Sequence, residues 1–148
     1  FAKTLKKKRS KLLILGDGPD YNMLFELAKK LNIEDHVEFL GFKRNPYKFI
    51  KRSDLFVLSS KWEGFGMVFI EALALGTPIV ATSCPGGPRE ILDNGRYGSL
   101  VPVGDVNKLS ETIINVLDKK VDKEKLIRRA MDFDIHMVKL QYEEEFDV

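Results

Sequence analysis

The chain has 148 residues, of which 44% are hydrophobic and 31% are charged, so it is long enough to bury one hydrophobic core. Its net charge of +2 is too small to indicate a nucleic-acid-binding protein. The single cysteine, Cys84, excludes an internal disulfide framework, and no apolar run approaches the roughly 18 residues that a membrane-spanning helix needs.

Short apolar segments alternate with segments of helical periodicity along the chain. We predict strands at residues 11–15, 37–40, 55–58, 79–82 and 99–101. We predict helices ending near residue 9 and at residues 21–31, 47–51, 70–75, after Pro88, and at 105–119, 123–133 and 134–146. This alternation indicates an α/β fold with a doubly wound parallel sheet of Rossmann-like type, followed by extra C-terminal helices.

A basic run occupies residues 6–9, at the end of the first predicted helix. The simpler interpretation is a solvated helix end, and contact with phosphates or an anionic membrane surface is the alternative. A lone cysteine fits a reducing compartment. We therefore expect a cytoplasmic protein, with peripheral contact at the cytoplasmic membrane face left open.

The most informative segment is the loop and helix start at residues 62–71. Glu63 and Glu71 flank a Gly-Phe-Gly turn between a predicted buried strand and a helix that Gly76 and Pro78 end. Backbone N–H groups and the positive end of the helix dipole favour anions at such a position. The predicted anion cradle comprises the backbone N–H groups of Gly64, Phe65, Gly66, Met67 and Val68.

Both carboxylates of this segment are expected to face one cleft, roughly 10 Å apart at about 1.5 Å rise per helical residue. An ionised carboxylate only accepts hydrogen bonds. Two such groups beside an anion cradle suit a ligand with hydroxyls at both ends and phosphates between them, such as a nucleotide-sugar. We interpret the neighbouring Trp62 as packing around the turn rather than as a ligand platform.

Further loops follow predicted strands, at the edge where open α/β sheets bind ligands. They are the Gly16-Asp-Gly-Pro turn, the Gly-Phe42-Lys43-Arg turn, and residues 84–90. Ordinary turn chemistry explains the first equally well, and on its residues alone the second is better interpreted as a surface turn. In the third, two glycines precede a proline suited to the first helical position, so a helix start and a loop over a bound sugar both remain open.

The order of short motifs in residues 58–102 resembles a known family. The motifs are Glu-Gly-Phe-Gly, Glu-Ala, Gly-Thr-Pro-Ile-Val-Ala-Thr, Pro-Gly-Gly-Pro-Arg-Glu-Ile and Leu-Val-Pro. This order is similar to the donor-binding half of retaining glycosyltransferases with the two-Rossmann-domain (GT-B) architecture, and most resembles the glycosyltransferase group 1 family. Weaker likeness runs from residue 11 to about residue 146.

The resemblance implies roles for single residues. Glu63 becomes the catalytic candidate, accepting hydrogen bonds from hydroxyls of the transferred sugar, although a role as nucleophile is an alternative. Glu71 would bind the ribose hydroxyls, and backbone groups of Phe42 and Lys43 would read the nucleobase. The turn at Gly16 would lie near the donor.

The resemblance also implies a reaction and its partners. A hexosyltransferase would move sugar from a nucleotide-sugar to a glycan or lipid-linked acceptor, with retained anomeric configuration and no obligatory metal. The acceptor would bind an N-terminal domain outside residues 1–148. A family member carries one more strand and turn before residue 1, which supply the Arg and Lys that clamp the diphosphate. We therefore expect residues 1–148, as one donor domain, to bind weakly and not to turn over alone.

Two other classes of protein remain open at this point. One is another nucleotide-sugar enzyme of the same architecture, such as an epimerase or a sugar-phosphate synthase. The other is a non-enzymatic nucleotide-binding or interaction module. No His, Cys or Asp cluster in the sequence has metal-ligand spacing, so no metal site is predicted.

Overall fold

A computed structural model of the protein describes the backbone of residues 1–146 and the side chains of residues 1–139 and 142. These residues divide into two compact units, one from Phe1 to Pro46 and one from Tyr47 onward. The expectation that residues 1–148 form one donor-binding domain stays a prediction. Within the described part of the chain, no helix has the length and hydropathy required to cross a membrane.

The first unit is built around a pair of parallel strands. Its elements are α1 (Ala2–Leu5), β1 (Leu12–Leu15), α2 (Tyr21–Lys30), a 3₁₀ turn (Glu34–His36) and β2 (Val37–Gly41). Leu12 of β1 lies opposite Val37 of β2. Tyr21 and Phe25 of α2 pack edge-on against Phe39 of β2, with ring centroids 5.2 and 5.9 Å apart, so α2 covers one face of this pair.

The second unit contains a parallel sheet with the order β3-β4-β5. Its elements are α3 (Tyr47–Arg52), β3 (Phe56–Leu58), α4 (Met67–Ala74), β4 (Ile79–Thr82), α5 (Pro88–Ile91), a 3₁₀ turn (Asp93–Gly95), β5 (Ser99–Val101), α6 (Val106–Leu117), α7 (Lys123–Met131) and α8 (Ile135–Phe146). Val80 in the central strand lies opposite Val57 on one side and Ser99 on the other.

The core of the second unit lies around β4 and α4. All four residues of β4 are buried, as expected for a central strand with a parallel neighbour on each side. Phe69 and Leu73 of α4 are at most 1% exposed, and Leu126 and Ala130 of α7 belong to the same cluster. The carboxyl end of the central strand and the start of α4 are therefore held by a rigid core.

The α/β class and the parallel strands are confirmed, and the boundaries differ by a few residues. Helix α4 begins at Met67 because Gly66 has a φ of +82°, which does not belong to a right-handed helix. Helix α1 ends at Leu5, so the basic run lies in a turn after it. Strand β3 is half-buried rather than buried, because it pairs on only one side within the described sheet.

Candidate functional site

The turn between β3 and α4 holds Glu63 through its side chain. The Ser60 hydroxyl donates a hydrogen bond to Glu63 Oε1 over 2.6 Å. The other carboxylate oxygen, Oε2, lies 3.9 Å from the point where a Cβ on Gly66 would sit. Glu63 is half-buried, and its carboxylate lies near Gly66, the residue before α4.

A second loop, which follows β4, packs against this turn through the backbone. The Glu63 N–H donates to the Pro85 carbonyl over 3.3 Å, and the Gly87 N–H donates to the Gly64 carbonyl over 2.8 Å. A Cβ on Gly86 would sit 2.0 Å from the Glu63 carbonyl oxygen. We call residues 63–65 and 85–87 the paired loops, and their close approach requires glycine at this contact.

The predicted cradle has free backbone donors. Among the residues that the structure describes, the N–H groups of residues 64–68 donate to no other protein group. The last two of these residues, Met67 and Val68, form the first turn of α4, whose N–H groups have no carbonyl partner within the helix. The cradle residues Gly64, Phe65 and Met67 are exposed. Helix N-termini with free N–H groups are positions at which proteins commonly bind anions.

Glu71 lies one turn into α4 and is half-buried. The Tyr47 hydroxyl at the start of α3 donates to Glu71 Oε1 at 3.5 Å, a long hydrogen bond. Tyr47 was not among the residues predicted from the sequence, and no motif around it signals this contact. The 10 Å separation expected between the two carboxylates stays a prediction.

The other predicted binding residues belong to the first unit. The Gly16 N–H, after β1, donates to the Gly41 carbonyl at the end of β2 over 3.0 Å. This bond brings the Gly16 turn beside the loop that carries Phe42 and Lys43. Phe42 is 76% exposed and Lys43 is half-buried. The two predicted loops of this unit therefore lie together at the carboxyl ends of its strands.

The interpretation of Trp62 as a packing residue is wrong. Its side chain is 72% exposed. The turn is instead held by a hydrogen bond from the Glu63 N–H and by the bond from the Ser60 hydroxyl to the Glu63 carboxylate. Packing of the Trp62 indole is therefore not needed to stabilise it. Phe65 differs, because its ring lies edge-on to Phe133 with centroids 6.1 Å apart.

Arg129 of α7 contacts the end of α5, the helix that follows the second of the paired loops. Its side chain is 18% exposed, and it donates to the Ile91 carbonyl over 3.0 Å and to the Glu90 carbonyl over 2.7 Å. These carbonyls end α5, so the guanidinium caps that helix. Its carbon also lies 4.7 Å from the ring centroid of Phe133.

Arg129→Ala is expected to lower the free energy of unfolding by about 2–4 kcal/mol, because several charged hydrogen bonds are lost from a mostly buried site. Arg128→Ala is the matched control, since that side chain is 65% exposed and lies 3.9 Å from Glu124. The control should change stability by less than about 0.5 kcal/mol. Chemical denaturation measures both, and equal losses would contradict the capping role.

Within the described residues, no three His, Cys, Asp or Glu side chains come close enough together to hold a metal ion. The free cysteine, Cys84, is buried within the loop after β4. The arrangement that remains is a helix N-terminus with free amides, flanked by two half-buried glutamates.

Residues 1–133 match the family described as Glycosyl transferases group 1. An uncharacterized glycosyltransferase from Methanocaldococcus jannaschii is 52% identical over 89 residues, which cover 60% of this chain and 22% of that protein. A second relative, from Campylobacter jejuni, is 38% identical over 128 residues, which cover 84% of this chain and 35% of that protein. It is named N-acetylgalactosamine-N,N'-diacetylbacillosaminyl-diphospho-undecaprenol 4-alpha-N-acetylgalactosaminyltransferase. The chain thus spans about a third or less of the length of these relatives.

The fold is also similar to a solved structure with a bound nucleotide. HepE of Anabaena in complex with UDP aligns with a TM-score of 0.79 and 26% identity, over 99% of this chain and 43% of that one. The similarity extends across nearly all of the present chain.

Proposed function

The chain belongs to the glycosyltransferase group 1 family, and from this premise we propose that it is the donor-binding domain of a retaining GT-B glycosyltransferase. In this proposal the whole protein moves a hexose from a nucleotide-sugar to a glycan or lipid-linked acceptor. The acceptor binds an N-terminal domain outside this chain. The protein acts in the cytoplasm or at the cytoplasmic face of a membrane.

One observation carries the proposal: the free N–H groups of residues 64–68 lie between two half-buried glutamates at the start of a core helix. Breaking a sugar–phosphate bond leaves negative charge on the departing diphosphate and develops positive charge on the anomeric carbon. Fixed amide donors stabilise the first charge without reorganisation. The carboxylates suit the hydroxyl groups at the two ends of the donor.

Each glutamate has a separate role in this mechanism. Glu63, next to Gly66, accepts hydrogen bonds from hydroxyls of the sugar and keeps its anomeric carbon near the cradle. Glu71, further along α4, accepts from the ribose 2′- and 3′-hydroxyls, and Tyr47 holds one of its oxygens. The acceptor hydroxyl attacks on the face that the phosphate leaves, so the configuration is retained.

The proposal also assigns roles to the loops of the first unit. Backbone groups of Phe42 and Lys43 read the edge of the nucleobase, and the Gly16 turn lies near the donor. As the family resemblance implies, no obligatory metal ion is included in the proposed mechanism. UDP is the first nucleotide to test, since the HepE structure contains it.

Glu71→Gln should weaken UDP binding about 10- to 100-fold, because a hydrogen bond to a charged group contributes roughly 1.5–3 kcal/mol. Isothermal titration of the full-length protein with UDP and with 2′,3′-dideoxy-UDP measures the effect, which should shrink with the dideoxy nucleotide. Glu124→Gln removes an equivalent charge from an exposed side chain of α7 and should leave both affinities unchanged.

A loss of affinity that is just as large with the dideoxy nucleotide would reject the ribose role of Glu71.

A second candidate function, a non-enzymatic interaction module, has no need of nucleotide affinity. Absence of binding to every nucleotide and nucleotide-sugar of a broad panel would favour that candidate. An epimerase or a sugar-phosphate synthase would instead bind the donor and release a different product, which product analysis with the full-length protein distinguishes.

A further inference from the structure

The hydroxyl of Ser60 occupies a position that the proposed mechanism does not use. It donates to one oxygen of the Glu63 carboxylate, Oε1, over 2.6 Å. Oε2 lies toward Gly66, where the cradle meets α4. A carboxylate has about four lone-pair sites, so Oε2 can still accept from a ligand while Oε1 is held.

Ser60 is itself anchored to the core. The hydroxyl of Thr82, at the end of the buried strand β4, donates to the Ser60 carbonyl oxygen. Thr82 is 4% exposed. A chain of hydrogen bonds therefore runs from the central strand through Ser60 to the carboxylate that faces the cradle.

A glutamate in a surface turn otherwise has several rotatable bonds, and ordering such a side chain costs free energy at the moment of binding. The bond from Ser60 orders Glu63 in advance and leaves the second carboxylate oxygen available to a ligand. A carboxylate that is already oriented can meet the sugar hydroxyls in one geometry.

We propose that Ser60 is a positioning residue for sugar recognition, acting only through Glu63. This inference rests on the proposed function, in which Glu63 binds the transferred sugar. We therefore expect Ser60 to affect the affinity for a nucleotide-sugar but not the affinity for the bare nucleotide.

The test compares UDP with UDP-glucose, UDP-galactose and UDP-N-acetylglucosamine by isothermal titration, using the full-length protein. Ser60→Ala should weaken the tightest of these UDP-sugars about tenfold, as expected for one charged hydrogen bond, and should change UDP affinity less than about twofold. Ser60→Thr keeps a hydroxyl and should restore sugar affinity. Ser59→Ala, at the exposed neighbouring serine, is the matched control and should match the wild type.

A double-mutant cycle distinguishes a role of Ser60 in positioning Glu63 from a general role in stabilising the turn. In a Glu63→Ala background the Ser60→Ala change should have almost no further effect on affinity or on kcat, because its partner is absent. The single Ser60→Ala variant should lower kcat for sugar transfer more than it raises KM, and the wild-type melting temperature should be nearly kept.

Equal loss of UDP and UDP-sugar affinity in Ser60→Ala would overturn the inference while leaving the proposed function intact. The inference is also overturned if Ser60→Ala still weakens sugar binding tenfold in the Glu63→Ala background. If the wild type binds neither UDP nor any UDP-sugar, nor any other nucleotide-sugar of a broad panel, the proposed function fails and the inference fails with it.

Discussion

Gly86→Ala is expected to separate the paired loops and abolish nucleotide-sugar binding. A Cβ on residue 86 would sit 2.0 Å from the Glu63 carbonyl oxygen and 2.4 Å from that of Gly64. Both atoms are backbone, so neither can move away by a side-chain rotation. The φ of +105° adds a second cost, because side chains other than glycine rarely adopt it.

Gly95→Ala provides a closely matched control. Gly95 has a φ of +104°, but no atom lies within 4 Å of its Cβ position. Both substitutions therefore carry the same backbone cost, about 1–3 kcal/mol, and only Gly86→Ala adds an overpacking cost of about 1–3 kcal/mol or more. Chemical denaturation measures the difference in stability, and titration of the full-length protein with a UDP-sugar measures binding.

The two variants should differ in function more than in stability. Gly95→Ala is expected to keep wild-type affinity for the UDP-sugar, whereas Gly86→Ala displaces the turn that carries Glu63 and Gly64. Wild-type affinity in a folded Gly86→Ala protein would show that the paired loops are not needed for binding. Equal destabilisation of the two variants would contradict the steric argument.

Glu63→Gln is expected to lower sugar transfer by the full-length protein about 100-fold or more, because the carboxylate orients the reacting sugar. The same substitution should weaken UDP-sugar binding and leave UDP affinity nearly unchanged, since this side chain contacts only the sugar in the proposed mechanism. Steady-state kinetics and titration with both ligands measure these effects.

The exposed Glu124 provides the control for Glu63→Gln, because Glu124→Gln removes the same charge outside the site. It should retain wild-type turnover. A Glu63→Gln protein that loses UDP affinity as strongly as Glu71→Gln would show that the roles of the two glutamates are assigned wrongly. Full turnover by Glu63→Gln would remove Glu63 from the mechanism altogether.

The sequence predicted the elements that depend on local pattern. Strand β4 occupies the predicted residues 79–82, because a short run rich in β-branched residues directly after Pro78 favours a buried strand over a helix. Helix α2 begins at the predicted Tyr21 and ends one residue early. The glycines around the cradle also allowed the start of α4 to be predicted to within a few residues. Their backbone freedom is a property of glycine itself and does not depend on distant contacts.

The contacts between distant segments could not be predicted in this way. The bond from Thr82 to Ser60 and the one from Tyr47 to Glu71 each join residues more than 20 positions apart. No period or motif encodes such a pair, because it depends on where two elements are placed by the core. The exposure of Trp62 was mispredicted for the same reason.

The sequence by itself determined the α/β class, the order of the strands and helices, and the position of two glutamates around a glycine turn at a helix N-terminus. These features follow from hydrophobic periodicity and from the backbone preferences of glycine and proline, which act over a few residues. Only the tertiary structure decided how Glu63 is held and that the paired loops touch through backbone atoms. Those contacts arise when β3 and β4 pair side by side, which brings the loops after them together at one edge of the sheet.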